Sequence, residues 1–200
     1  MVRRAHHEGS KPPPHPELVE GWATVRCPGL ALLLLLLPSP AAAHALDEYV
    51  QHSLVAVEKD RIEIVMRLVP GVMVFSPVLD MIDRNGDGRI SAGEARAYGA
   101  LLRDDLRLVL DGRTLAVRLI SVDVPQPDAW KDGFGAMRLK LESAAVSAPG
   151  PHRLELTNRH QPGYSAYVVN SVQPGDKSVR IAGQQRNRDQ SVWRLDYRVQ

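Results

Sequence analysis

From residue 47 onward, apolar and polar side chains alternate in short runs separated by turn residues. In the run from Arg61 to Leu68, Ile62, Ile64, Met66 and Leu68 share one face, the period of two expected of a half-buried strand. Tyr49 to Val57 precede it across the polar pair Lys59-Asp60 and are expected to form its hairpin partner. Leu106, Leu108 and Leu110 alternate up to Asp111-Gly112, the dipeptide favoured in two-residue hairpin turns, and Leu115, Val117 and Leu119 resume the pattern after it. Further alternations follow at Met137/Leu139/Leu141, Leu154/Leu156, Tyr167/Val169, Val179/Ile181 and Trp193/Leu195/Tyr197/Val199. Asp132-Gly133, Pro149-Gly150-Pro151, Pro162-Gly163 and Pro174-Gly175 mark turns between them. Eight or nine short strands, each with one apolar and one charged face, predict a mainly β fold, an immunoglobulin-like antiparallel β-sandwich.

One segment departs from the alternation. Residues 71–105 read as an inserted helix–loop–helix between the second and third strands. Ser76-Pro77 suits an N-cap followed by proline at the first helical position, so the entering helix is expected over Pro77 to Ile82. The exiting helix is expected from Ser91 to about Asp105, with Tyr98, Leu101 and Leu102 towards the core. Gly93 and Gly99 each weaken it by ~1 kcal/mol relative to alanine, so packing and a bound ion are expected to support it.

The loop between these helices runs Asp83-Arg84-Asn85-Gly86-Asp87-Gly88-Arg89-Ile90-Ser91-Ala92-Gly93-Glu94. Calcium takes six to eight oxygens in a flexible shell. Asp83, Asn85, Asp87 and Glu94 supply side-chain oxygens at positions 1, 3, 5 and 12, Arg89 a backbone carbonyl at position 7, and Ser91 a hydroxyl or a bound water at position 9. Gly88, sixth, stands where the chain turns through a backbone geometry that a Cβ resists, and Ile90, eighth, is suited to packing behind the loop. Chance yields this pattern in roughly one 200-residue chain per several thousand. Over about residues 76–105 the stretch resembles an EF-hand, which implies a bound calcium ion. A second such loop is absent from the sequence, so the ion is expected to be structural rather than a switch.

Ahead of the strands, residues 29–37 form an apolar run behind Arg26, followed by Pro38-Ser39-Pro40 and a small-residue tract. The run is too short to span a bilayer and has the pattern of a secretory signal peptide, with cleavage after Ala43 or Ala45. The expected organisation is therefore a signal region over residues 1–43 and a β-sandwich domain over 44–200, exported to the periplasm or the outer face of the membrane. Residues 1–24 do not suit the lead of a signal peptide, and translation is expected to start near Val25. Cys27, the single cysteine, lies in the removed part, so no internal disulfide is expected. Residues 1–43 also carry four of the 25 basic and three of the 23 acidic side chains, leaving 21 against 20. Such a balance, with basic residues scattered singly, speaks against a nucleic-acid surface. Cleavage after Ala43 would place His44 at the new N-terminus, where an α-amine beside an imidazole chelates copper or nickel.

No enzyme is expected, because the chain has no Gly-x-Ser-x-Gly elbow, His-Glu-x-x-His pair or phosphate loop. Of the remaining histidines, His160 reads as a hydrogen-bonding turn residue. Three segments, residues 46–51 (Leu-Asp-Glu-Tyr-Val-Gln), 158–167 (Asn-Arg-His-Gln-Pro-Gly-Tyr-Ser-Ala-Tyr), and 183–186 with 194–197, resemble the extracytoplasmic N-terminal region of bacterial nickel/cobalt permease-like membrane proteins. The resemblance implies an alternative role as an accessory or detached domain of a metal permease, with an integral-membrane transporter as partner. Because the alternation runs to Gln200, a polytopic membrane segment is expected to be encoded just downstream.

Overall fold

The alternating runs fold into two five-stranded sheets. In this computed structural model the described residues are 47–131 and 135–200. The signal region, Cys27, His44 and the Asp132-Gly133 turn lie outside them. The first sheet has the order β5-β6-β2-β1-β8, formed by Arg118–Asp123 (β5), Met137–Ala144 (β6), Arg61–Pro70 (β2), Tyr49–Val57 (β1) and Ser165–Ser171 (β8). The second has the order β4-β3-β7-β10-β9, formed by Arg113–Leu115 (β4), Leu106–Leu110 (β3), Gly150–Asn158 (β7), Val192–Val199 (β10) and Val179–Arg186 (β9). Ile62, Ile64 and Met66 of the first sheet and Leu108, Leu156, Trp193 and Leu195 of the second belong to one buried cluster, as in a β-sandwich.

Three expectations about the strands and their turns need correction. The Asp111-Gly112 hairpin forms, with both residues at positive φ (48° and 82°), but the run that follows it is not one strand. Arg113–Leu115 pairs with β3, and after a break at residues 116 and 117 the chain crosses to the other sheet as β5. Period-two alternation specifies which face is apolar, not which sheet receives it. The sandwich is also not wholly antiparallel. β8 runs parallel to β1, from Tyr49 opposite Ser165 to Val55 opposite Ser171, because the chain reaches β8 from the other sheet rather than through a hairpin. Gly150 and Pro151 open β7 itself instead of forming a turn, with Gly150 at φ 133°.

Between β2 and β3 lie a 3₁₀ turn at Val72–Val74 and two helices, Phe75–Ile82 (α1) and Ala92–Asp104 (α2). α1 begins two residues before the expected start, with Val74 at its N-cap and no side-chain cap, so Ser76 and Pro77 fall inside its first turn. Proline is tolerated there because the first amides of a helix lack intrahelical acceptors. The pair is not an appendage, since Val78, Ile82, Ala95, Tyr98 and Leu102 all join the core cluster. Leu101, expected inside, is 45% exposed, whereas Leu102 is fully buried. Gly99 allows close packing rather than merely weakening α2, because a Cβ there would lie 2.9 Å from Leu119 and 3.4 Å from Val122 of β5. Pro127–Lys131 forms a further short helix (α3) after β5. No helix among the described residues is long and apolar enough to cross a membrane.

Candidate metal centre

The loop between α1 and α2 is built from its own backbone amides. Asp83, the C-cap of α1, accepts at Oδ1 from the N–H groups of Gly86 (2.9 Å) and Asp87 (3.2 Å) and at Oδ2 from that of Gly88 (2.8 Å). Asn85 Oδ1 accepts from Asp87 N–H at 2.9 Å, and Asp87 Oδ1 from Arg89 N–H at 2.8 Å. Asn85 Nδ2 also donates to Asp87 Oδ2 at 3.1 Å. This winding requires left-handed backbone at Gly86 (φ 69°) and Gly88 (φ 75°), where glycine alone is free of Cβ strain.

Glu94 closes the loop from the first turn of α2. Its Oε1 accepts from the N–H groups of Arg84 (3.0 Å) and Asn85 (3.4 Å), and its Oε2 from the N–H (3.0 Å) and Oγ (2.7 Å) of Ser91. Ser91 Oγ in turn accepts from Glu94 N–H, completing a capping box that starts the helix. The Ser91 backbone and side chain, then Asn85 and Arg84, hold the Glu94 carboxyl below its ordinary pKa. The Ser-x-x-Glu spacing of this capping box is visible in the sequence, so Ser91 and Glu94 start the helix as well as offering oxygen donors to the loop.

The six sequence-predicted positions, Asp83, Asn85, Asp87, Arg89, Ser91 and Glu94, thus sit on one loop of twelve residues. Their donor types fit a hard cation: three carboxylates, an amide oxygen, a hydroxyl and a carbonyl. The carboxylates are turned onto amides of the loop, however, and among the described residues no three His, Cys, Asp or Glu side chains are gathered closely enough to hold a metal ion. Ile90 is the one deeply buried residue between Asp83 and Glu94, and both its backbone groups pair with the side chain of Gln126. Nothing in the local sequence of either residue signals that contact.

A second polar cluster lies under α2. His160 is fully buried; its Nδ1 meets Asp105 Oδ2 at 2.7 Å, and its Nε2 meets Tyr98 Oη at 2.8 Å. Tyr98 Oη continues to Tyr49 Oη at 2.9 Å. The His160 carbonyl accepts from Gln51 Nε2, Ser165 Oγ and Tyr167 Oη, while Gln51 Oε1 accepts from Asn158 Nδ2. Burial lowers the pKa of His160 against the opposing pull of Asp105, so the ring is neutral, with Nδ1–H donating to Asp105 and Nε2 accepting from Tyr98. Residues from 46–51 and 158–167, two of the segments noted for their resemblance, meet here. In the third, Gln184 accepts from Trp193 Nε1, and Arg186 donates to the carbonyl of Val169.

His152 has the opposite character. Its Nδ1 faces Asp111 Oδ2 at 2.7 Å and its Nε2 the carbonyl of Ala148 at 2.6 Å, two partners that can only accept. Burial opposes the charge, but these hydrogen bonds together raise its pKa. Comparison with protein-family models and with curated proteins returns no match for this chain.

Proposed function

We propose that residues 83–94 form an EF-hand-type calcium loop within an exported, non-enzymatic β-sandwich module of immunoglobulin-like type, and that the ion is structural. The observation that carries this reading is Glu94, whose carboxylate returns from α2 to the amides of Arg84 and Asn85 and so joins both ends of a loop whose donor order suits calcium. Asp83, Asn85, Asp87, Glu94, the Arg89 carbonyl and Ser91 would hold the ion. When bound, calcium supplies a fixed double charge that relieves repulsion among the three carboxylates.

Engagement of those carboxylates by loop amides favours weak binding, because an incoming ion competes with the amides for the oxygen lone pairs while the remaining hydrogen bonds hold the carboxylates in place. Arg84 and Arg89 reduce the negative charge of the loop further. The expected dissociation constant is ~10⁻⁴ to 10⁻³ M, in the range of extracellular modules. With a constant near 10⁻⁴ M and free calcium near 10⁻³ M, binding adds ~1.4 kcal/mol to stability. Titration calorimetry tests the reading: a nanomolar constant would refute the weak, extracellular-module type of binding, and no binding at about 10 mM would refute the site. The alternative, a domain serving a nickel or cobalt permease, calls instead for stoichiometric transition metal in the purified protein.

A further inference from the structure

We infer that Gln126, on the chain after β5, is the positioning residue that aims the Arg89 carbonyl and braces Glu94; the inference rests on the calcium reading of this loop. Its side-chain amide engages the loop from outside at one residue. Gln126 Oε1 accepts from Ile90 N–H at 3.1 Å, and Gln126 Nε2 donates to the Ile90 carbonyl at 3.0 Å.

The consequence follows from peptide planarity. The Ile90 N–H shares a trans peptide plane with the Arg89 carbonyl, so the two bonds point in opposite directions. Holding the N–H on Gln126 therefore directs the Arg89 carbonyl, the position-7 donor, to the side away from Gln126. The Ile90 carbonyl likewise shares a plane with Ser91 N–H, which donates to Glu94 Oε2 at 3.0 Å. One amide side chain thus orients the two consecutive peptide planes that carry the Arg89 donor and one support of Glu94. The buried Ile90 side chain anchors the same residue from a third direction.

The mount of Gln126 is rigid. Its carbonyl accepts from Ala129 N–H at 3.1 Å in α3, and Trp130 of that helix is buried edge-on to Phe75 of α1, with ring centroids 6.0 Å apart. Gly135 closes over this helix so tightly that a Cβ there would lie 2.6 Å from Trp130 Cδ1 and 3.0 Å from the Ala129 carbonyl. Between the loop and residues 126–128 a cleft of about 580 Å³ stays open, so the link to Gln126 is a specific bridge rather than part of a packed wall.

The test combines calorimetry with amide hydrogen exchange on the full chain, using wild type, Gln126→Ala and Gln126→Glu. In chelator-treated wild type the Ile90 N–H is expected to be protected, and Gln126→Ala to remove that protection while leaving exchange in both sheets unchanged. Gln126→Glu retains an acceptor for Ile90 N–H and should keep it protected. The calcium dissociation constant of Gln126→Ala should rise about tenfold, as expected for two partly exposed hydrogen bonds. An unprotected Ile90 amide in wild type, or equal calcium affinity in Gln126→Ala, overturns the role of Gln126 alone. Faster exchange throughout both sheets of Gln126→Ala overturns it in favour of general packing. Wild type that does not bind calcium overturns the parent reading, and the positioning role with it.

Discussion

Replacing Tyr98 by phenylalanine should destabilise the domain far more than replacing Tyr49, although each change removes a single hydroxyl. Neutral His160 sets the direction of the chain of hydrogen bonds. Tyr98 O–H donates to Nε2, and Tyr49 O–H donates to Tyr98 Oη. Tyr49→Phe deletes only a terminal donor and leaves Tyr98 on His160, so the loss is that of one net hydrogen bond, about 1 kcal/mol. Tyr98→Phe deletes the middle member and strands two buried groups, the Tyr49 hydroxyl and His160 Nε2. Two lost bonds plus the desolvation of stranded groups amount to about 3 kcal/mol. With a urea dependence of ~2 kcal/mol/M, the midpoint should fall by about 1.5 M, against about 0.5 M for Tyr49→Phe. The double variant should be no less stable than Tyr98→Phe, because its Tyr49 hydroxyl is no longer there to be stranded. Urea unfolding followed by tryptophan fluorescence decides the matter. Equal losses in the two single variants, or strict additivity in the double, would refute the directional chain.

The two buried or half-buried histidines should give opposite pH dependences. The contribution of His160, whose folded pKa is lowered, is complete above the ordinary value of about 6.5 and falls as pH drops below it, whereas that of His152, whose folded pKa is raised, is complete below about 6.5 and falls as pH rises through the raised value. His152→Gln should therefore flatten the alkaline side of the stability profile, and an unchanged alkaline limb would refute the upward shift assigned to His152. Glu94→Ala should abolish calcium binding in calorimetry, while the β-type circular dichroism at 25 °C persists. Gly99→Val, which forces branched methyl groups against Leu119 and Val122, should cost about 2 kcal/mol, whereas Gly99→Ala is expected near neutral because the mobile end of Leu119 can yield and helix propensity improves. Gly88→Ala meets open space but imposes left-handed strain of about 1 kcal/mol, so thermal denaturation should show a small loss and calorimetry a weaker affinity for calcium.

What the sequence determined by itself is local. Side chains two apart on a strand share a face whatever lies opposite, so the alternation of Ile62, Ile64 and Met66 or of Trp193, Leu195 and Tyr197 is enough to place strands. The donor order from Asp83 to Glu94 and the left-handed glycine at position 88 were legible for the same reason, since both depend on spacing within a dozen residues. The tertiary structure decided whatever depends on what comes to lie opposite. The alternation of Leu115, Val117 and Leu119 reads as one strand, yet it is divided between two sheets. Leu101 and Leu102 are neighbours of equal hydrophobicity, and only which face of α2 the core covers separates the exposed one from the buried one. Gly99 looks like a defect until Leu119 and Val122 arrive beside it. His160, Tyr98, Tyr49 and Asp105 form one hydrogen-bonded chain, and Gln126 holds Ile90, only because distant segments converge. No local period encodes such meetings: hydrogen bonds require groups about 3 Å apart, and that proximity is a property of the folded chain.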